Sequence, residues 1–427
     1  MVSCKSSALC LFDEQEVQSD IVGSLIAEYI PHNNIVPGAP IEFIIADTHD
    51  EYIDLGDLRI LLQLRITRVD KKAMTAADAV SFVNQPISSL FQDVFLTIGN
   101  TQVEGGQHLY PYNGYLSSLL QFHPSAKKTH MEAWGWNEDT PGKFDDAAAN
   151  DGFKLRQAET AGGAVWEIMG PVFLDMTRQP RYLLPNTPLN LKFLPAKADF
   201  VLHAPGGGDY NYVIDKFVLY VPRIRVLDSV ISGHKKGLEK YNARYPINHI
   251  DITTFTIQTG TKSVRKDSLF KTQPPKMLVV GLLDHGAFNG EIEKSPFNFH
   301  HYGLDKIALY RDGDVTPGQI INPDYAKDKY AHAYNHTMQT LNYFNTDDSN
   351  GMTMEHFKDG YTLYAFDLTP DNTPQGPHRH HIRAGSLRLE MHFSTPLTAP
   401  VNVLLFAVID AKLEISKLRD MFMSYSR

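Results

Sequence analysis

The densest set of side chains able to do chemistry is His378-Arg379-His380-His381, three imidazoles in four residues. Imidazole nitrogens ligate zinc and related cations, and His300-His301 would add donors if folding carried them to the same place. The usual zinc spacings are missing. There is no HExxH, and the two cysteines, Cys4 and Cys10, have no second pair to complete a ligand set. An exposed polar turn between strands is therefore expected at 378–381, and no metal site. Asp312-Gly313-Asp314 opens like a calcium loop, but Thr316, Gln319 and Ile321 do not continue it and no bidentate Glu follows, so a hairpin turn is expected. Gly206-Gly207-Gly208 lacks the GK[ST] of a phosphate cradle, and no GxSxG marks a nucleophile. The carboxylate pairs Asp145-Asp146 and Asp347-Asp348 fall in loop sequence and are expected in solvent. No catalytic residue and no cofactor is assigned. Among apolar groups, Trp134, Trp136 and Phe144 stand out inside an irregular stretch. Either they anchor a contact between subunits or they pack that loop on itself.

The elements around these residues repeat. Phe173-Leu174-Asp175-Met176-Thr177 and Ala365-Phe366-Asp367-Leu368-Thr369 are each followed by a Pro-containing turn and a strictly alternating segment, Leu189–Phe193 in one case and Leu387–Phe393 in the other. Alternation of period two marks a half-buried strand. Strands are also expected at 41–45, 58–66, 165 onward and 217–226, and in the second half at 250–257 and 276–283. Asp93–Asn100 and Asp305–Gly313 read as counterpart strands running into tight turns, and Tyr110–Phe122 and Tyr330–Leu341 as counterpart helices. The shared order implies one β-sandwich built twice. Its main difference is the connection between counterpart aspartates, 82 residues from Asp93 to Asp175 and 62 from Asp305 to Asp367. The excess falls at 123–163, a long aperiodic stretch of the kind that forms exposed loops. A charged connector, 234–240, separates the halves.

Expected boundaries are an N-terminal arm at 1–34, a first sandwich at 35–228, a second at 229–411 and a C-terminal tail at 412–427. The arm carries Lys5 against Asp13, Glu14, Glu16, Asp20 and Glu28, and Val17, Ile21, Leu25 and Ile26 would share one face of a short helix over 13–29. The tail is basic enough to touch a genome or a cementing protein, or simply to be solvated.

Composition limits the function classes. The chain has 427 residues, 43% hydrophobic and 21% charged, enough for two sizeable cores. A net charge of −9 opposes a surface dominated by nucleic-acid binding, which needs Lys and Arg to displace phosphate counterions. Two cysteines provide no disulfide framework. No signal-peptide pattern and no apolar run of the roughly 18 residues that span a bilayer are found, so a soluble, unsecreted protein is expected. The doubled sandwich with no visible chemistry points to architecture; the competing class is a tandem carbohydrate-binding protein or glycosidase, for which no aromatic platform or carboxylate pair can be placed.

Several segments go beyond a generic β pattern: Ser89–Leu96 (SLFQDVFL), Tyr110–Leu116 (YPYNGYL), Lys240–Asn248 (KYNARYPIN), Ala287–Gly290 (AFNG), Ser295–Tyr302 (SPFNFHHY) and Gly360–Pro370 (GYTLYAFDLTP). Together, in this order, they resemble the major capsid protein of Polinton (Maverick) elements and the related adintoviruses, over about residues 40 to 425. The resemblance implies an all-β fold of two tandem jelly rolls, a double jelly roll of the hexon-like lineage. It further implies homotrimers whose six rolls make a pseudo-hexagonal capsomer, tiling an icosahedral shell around double-stranded DNA in the virion. Implied partners are other copies of the chain, neighbouring capsomers, and penton and minor capsid proteins, with little direct contact to nucleic acid. The long connections would project outward as towers and the N-terminal arm would lie near the inner face.

Overall fold

A computed structural model describes residues 17–270, 274–376, 378–380, 382 and 385–425. Its strands of four or more residues are β1 (Ile21–Tyr29), β2 (Ile41–Ile45), β3 (Arg59–Arg68), β4 (Phe91–Ile98), β5 (Thr101–Glu104), β6 (Trp166–Pro171), β7 (Leu189–Pro195) and β8 (Tyr210–Val226). The second half supplies β9 (Ala243–Ile257), β10 (Ser263–Lys266), β11 (Met277–Asp284), β12 (Leu304–Arg311), β13 (Asp314–Ile321), β14 (Leu363–Asp367), β15 (Leu387–Phe393), β16 (Val401–Ile415) and β17 (Met421–Tyr425). Four longer helices accompany them: α1 (Tyr110–Gln121), α2 (Asp151–Thr160), α3 (Asp228–Leu238) and α4 (Ala331–Thr340).

Hydrogen bonding sorts these strands into the same two sheets twice. One sheet of the first half runs β1-β8-β3-β6, and its equivalent in the second runs β9-β16-β11-β14; the facing sheets run β2-β7-β4-β5 and β10-β15-β12-β13. Every pairing within them is antiparallel. The chain is a double jelly roll, as the alternation and the resemblance imply. The alternating strands bury one face each: in β15, Leu387, Leu389, Met391 and Phe393 point inward and the residues between them lie half out. β11 is buried almost throughout, between β16 and β14, and α4 packs on β14, with Thr337 and Thr340 hydroxyls donating to its Leu363 and Ala365 carbonyls. The turn at Asp312-Gly313 is the expected hairpin, both residues at positive φ as a two-residue connection requires.

Five expectations change. The arm is not helical over 21–29. It is strand β1, paired to β8 from Ile21↔Val226 to Tyr29↔Leu219, and it takes the place in the first roll that β9 takes in the second. A lone apolar stripe does not stabilise a helix without a core to pack on, whereas a sheet edge satisfies the backbone directly. The remainder of that expected helix, 13–16, lies outside the described residues. The charged connector is the second half of α3. The second roll starts at Ala243, earlier than the apolar signal at Ile250, because Arg244, Pro246 and Asn248 interrupt a strand already paired to β16. The segment from 412 is no free tail: β16 continues to Ile415, and Met421–Tyr425 folds back onto it. Nor is 123–163 irregular throughout, since it holds short helical turns at Pro124–Lys127 and His130–Trp134 as well as α2. α2 begins where Asn150 accepts the Phe153 N–H as its cap.

The two cores interpenetrate. Tyr245, Ile247, Ala411, Leu413 and Ile415, from one end of the β9–β16 ladder, pack in the first roll's core, while Ile250, Ile252 and Val401–Val408 pack in the second's. In return α1 and the following loop place Tyr115, Leu119, Met131, Trp136 and Phe144 in the second roll's core. The Tyr115 ring stacks on Phe297 at 4.1 Å and lies 5.5 Å from Trp136. Phe144 fills the space over Gly360, where a Cβ would come within 2.2 Å of its ring. Trp136→Ala should therefore destabilise the whole chain by about 3–5 kcal/mol, with both rolls melting together; denaturant unfolding followed by tryptophan fluorescence and far-UV circular dichroism measures it, and a loss confined to one probe would show that the rolls unfold separately.

Candidate assembly site

Of the three aromatics proposed for subunit contact, the fold withdraws two. Trp136 and Phe144 are each 1% exposed and packed between the rolls of one chain, with Lys127 of their own loop 5.4 Å over the Trp136 ring. Trp134 is half-buried: it lies edge-on to Phe122 at 5.4 Å, covers Gly170, and forms one wall of an open cleft of about 660 Å³ with Arg59, His130 and Phe173. Aperiodic loop sequence carries no signal for the burial of Trp136 and Phe144, because their core is largely built by the other half of the chain.

Polar groups lock the same junction. Arg156 and Asp139 form a buried ion pair at 2.6 Å; Arg156 also donates to the Phe82 and Asn137 carbonyls, and Asp139 accepts from Asn150. The buried guanidinium is tolerated because each of its nitrogens has an acceptor. The Tyr361 hydroxyl of the second roll donates to the Asp139 carbonyl at 2.6 Å. Lys127, its ammonium pKa lowered to about 8 by burial, donates to the Leu119 and Asn350 carbonyls at 2.7 Å each. Asp145, expected in solvent, accepts the Ser295 N–H at 2.6 Å and lies 3.5 Å from His203. Asp146 caps its own turn through Ala148 and Ala149.

The doubled Asp-x-Thr phrase divides its labour. Asp367 closes a local turn, accepting from the Thr369 N–H and hydroxyl at 2.8 and 2.7 Å. Asp175 reaches across the junction instead, bonding His249 Nδ1 at 2.7 Å and the Ile250 N–H at 3.2 Å. Glu104, at the end of β5, accepts the Asp175 and Met176 N–H groups at 2.7 and 2.8 Å. Burial, and then the negative charge of Asp175, push the Glu104 carboxyl up to about 8. Burial opposes the charge on His249, but the hydrogen bond and charge of Asp175, helped by Asp251 and Glu104, outweigh it and raise its pKa. Arg178 faces the same carboxylates, the Phe173 N–H donates to the Tyr110 hydroxyl oxygen at 2.9 Å, and the Tyr425 ring lies 5.6 Å from His249.

The surface that the fold leaves unfinished is the outer edge of β1. Among the described residues that edge has no strand partner, and Val22, Leu25, Ile26 and Ile30 are 64%, 41%, 59% and 77% exposed. An apolar strand with a free edge is a template for another chain. Phe422 on β17 and Leu418 before it are also exposed. Among the described residues no helix is long and apolar enough to cross a membrane.

The loop 371–380 brings Asp371, His378 and His380 together, with one donor atom from each within 4.8 Å of the others. His300 and His301 do not join them; His301 stacks on Tyr325 at 4.0 Å, and its neighbour His300 pairs with Tyr302. His381 lies outside the described residues.

No family model matches the sequence. An uncharacterized protein of Caenorhabditis elegans, F54H12.2, is 24% identical over 350 residues, covering 78% of this chain and 80% of its own length. Solved structures match along nearly the whole chain. A chain of the Sputnik virophage structure superposes with a TM-score of 0.61 at 14% identity, covering 100% of this chain and 93% of that one. The mavirus major capsid protein gives 0.57 at 11% identity, covering 99% and 94%, and the PBCV-1 virus capsid gives 0.57 at 11%, covering 97% and 100%. These likenesses carry the double jelly-roll fold.

Because Glu104 and His249 both bind protons more tightly in the folded state than in the unfolded chain, both linkages have one sign. The Glu104 contribution is full below about pH 4.5 and is lost as pH rises through about 8; that of His249 is full below about 6.5 and is lost as pH rises through its raised folded value. Glu104→Gln should flatten the fall in unfolding free energy between about pH 5 and 8; urea titrations across that range, with wild type alongside, measure it.

Proposed function

We propose that this chain is a structural subunit of a virus-type shell, a major capsid protein of the Polinton–adintovirus group. It forms homotrimers whose six rolls make pseudo-hexagonal capsomers in an icosahedral capsid around double-stranded DNA. The observation that carries this reading is coverage: both rolls, in order and nearly end to end, match chains whose own descriptions are a mavirus major capsid protein and a PBCV-1 capsid. A match to one roll alone would fit many unrelated β-sandwich functions. Duplication supports the same reading, because a threefold ring of doubled rolls has six near-equivalent sides and can tile a hexagonal lattice.

Assembly then covers what the monomer leaves open. The free edge of β1 and its exposed aliphatic residues form the contact with another copy, and Trp134, beside its cleft, is the aromatic candidate for a second contact. Purified protein should sediment at three times the 48.1 kDa chain mass, and electron micrographs should show ring-like capsomers. A monomer at every concentration would overturn the reading. Ile26→Asp should weaken association by about 2 kcal/mol, roughly 30-fold, while leaving the monomer's melting temperature unchanged, because Ile26 touches solvent in the monomer.

A further inference from the structure

We propose that Asp371, His378 and His380 form a zinc-type divalent-cation site that pins the loop between β14 and β15 to the base of the second roll. Sequence spacing did not expose it, because the carboxylate stands seven residues before the first histidine and outside any zinc motif. The fold closes that gap. Asp371 Oδ2 lies 2.8 Å from His378 Nε2, and Asp371 Oδ1 lies 3.3 Å from His380 Nε2. In a tetrahedral zinc site with bonds of about 2.0–2.1 Å, neighbouring ligand atoms sit about 3.3–3.4 Å apart. The two spacings use different oxygens of Asp371, so the carboxylate and the exposed His378 ring turn slightly to bring one oxygen and both imidazole nitrogens, already within 4.8 Å of one another, onto a single ion.

The supporting shell makes the cluster more than two hydrogen-bonded pairs. His380 is 4% exposed, and its other nitrogen, Nδ1, faces Asp410 Oδ2 at 3.3 Å, while the same oxygen accepts the His380 backbone N–H at 2.7 Å. Asp410 is itself fixed by Lys276, 2.8 Å from Oδ1, a pair in which both side chains are 4% exposed; Lys276 also donates to Asn248 at 2.8 Å. A carboxylate on the far nitrogen of an imidazole is the arrangement that orients histidine ligands in zinc proteins. A neutral imidazole has one N–H. With that proton donated to Asp410, Nε2 turns a lone pair toward the Asp371 carboxylate, and a cation between them converts opposition into ligation. Asp371 and His378 face solvent at 42% and 55% exposure, so the fourth position is open to water. The site lies on the turn that follows the second Asp-x-Thr phrase. A bound ion would fix the entry to β15 through β16, the strand that joins the two cores.

The test uses the full chain with Cys4→Ser and Cys10→Ser, so that thiols do not contribute, stripped by dialysis against EDTA. Calorimetric titration with zinc chloride should give one site per chain, and cobalt chloride should give the visible absorption of tetrahedral Co²⁺ with the same stoichiometry. His378→Ala and Asp371→Asn, both at exposed positions, should each weaken binding at least about tenfold with unchanged circular dichroism. His392→Ala, which removes an exposed histidine paired with Asp305, should bind as the parent does. Absence of saturable uptake at one ion per chain, or parental affinity in both His378→Ala and Asp371→Asn, would overturn the site. Neither result bears on capsid assembly, which sedimentation reads separately.

Discussion

Strands β9 and β16 pair without interruption from Ala243↔Ile415 to Ile257↔Val401, and the two ends of that ladder are buried in different cores. Bending it between the rolls would break adjacent ladder hydrogen bonds and pull apolar side chains from both interiors at once. The angle between the sandwiches is thereby set by one continuous element rather than by a surface contact. α1 and the loop after it do the same from the other side, carrying Tyr115, Trp136 and Phe144 of the first roll into the second. Two reciprocal insertions leave little freedom for a hinge.

Duplication fixed the strand order but not the use of each residue. Asp175 and Asp367 occupy equivalent phrases, yet one binds His249 across the junction and the other closes its own turn. The difference follows from position. After β6 the chain lies against β9, whereas after β14 it runs out into the loop that carries Asp371. Asp93 and Asp305 diverge in the same way: Asp93 is buried and accepts the Gly106 and His108 N–H groups, while Asp305 is half-exposed and bonds His392 at 2.6 Å.

The parts legible in the sequence are those governed by short-range physics. Period-two alternation located β7 and β15, the Asp312-Gly313 turn located a hairpin, and helical spacing of apolar residues located α1 and α4. What was not legible depends on partners far along the chain. β1 reads as well for a helix as for a strand until β8 is available to pair with it. Trp136 and Phe144 sit in aperiodic sequence, and only Phe297, Gly360 and Tyr361 of the other roll explain why they are inside. The grouping of Asp371 with two histidines is likewise a product of the fold, since an Asp seven residues from a His carries no local signal.

The equivalent edge strands also differ in chemistry, and that difference gives association a direction. β9 presents Arg244, Asn248, Asp251, Thr253, Thr254 and Thr256 among its outward residues, polar groups that tolerate water along an edge. β1, in the same position of the first roll, presents Val22, Leu25 and Ile26. Only the second kind of edge gains by being covered, at about 25 cal/mol for each Å² of apolar surface removed from water. A chain with one edge of each kind does not associate equally through both. The edge of the first roll gains by being covered, and that of the second can remain hydrated. Two rolls with the same strand order but different edges are distinguishable to a neighbour, which a ring of six interchangeable rolls would not be.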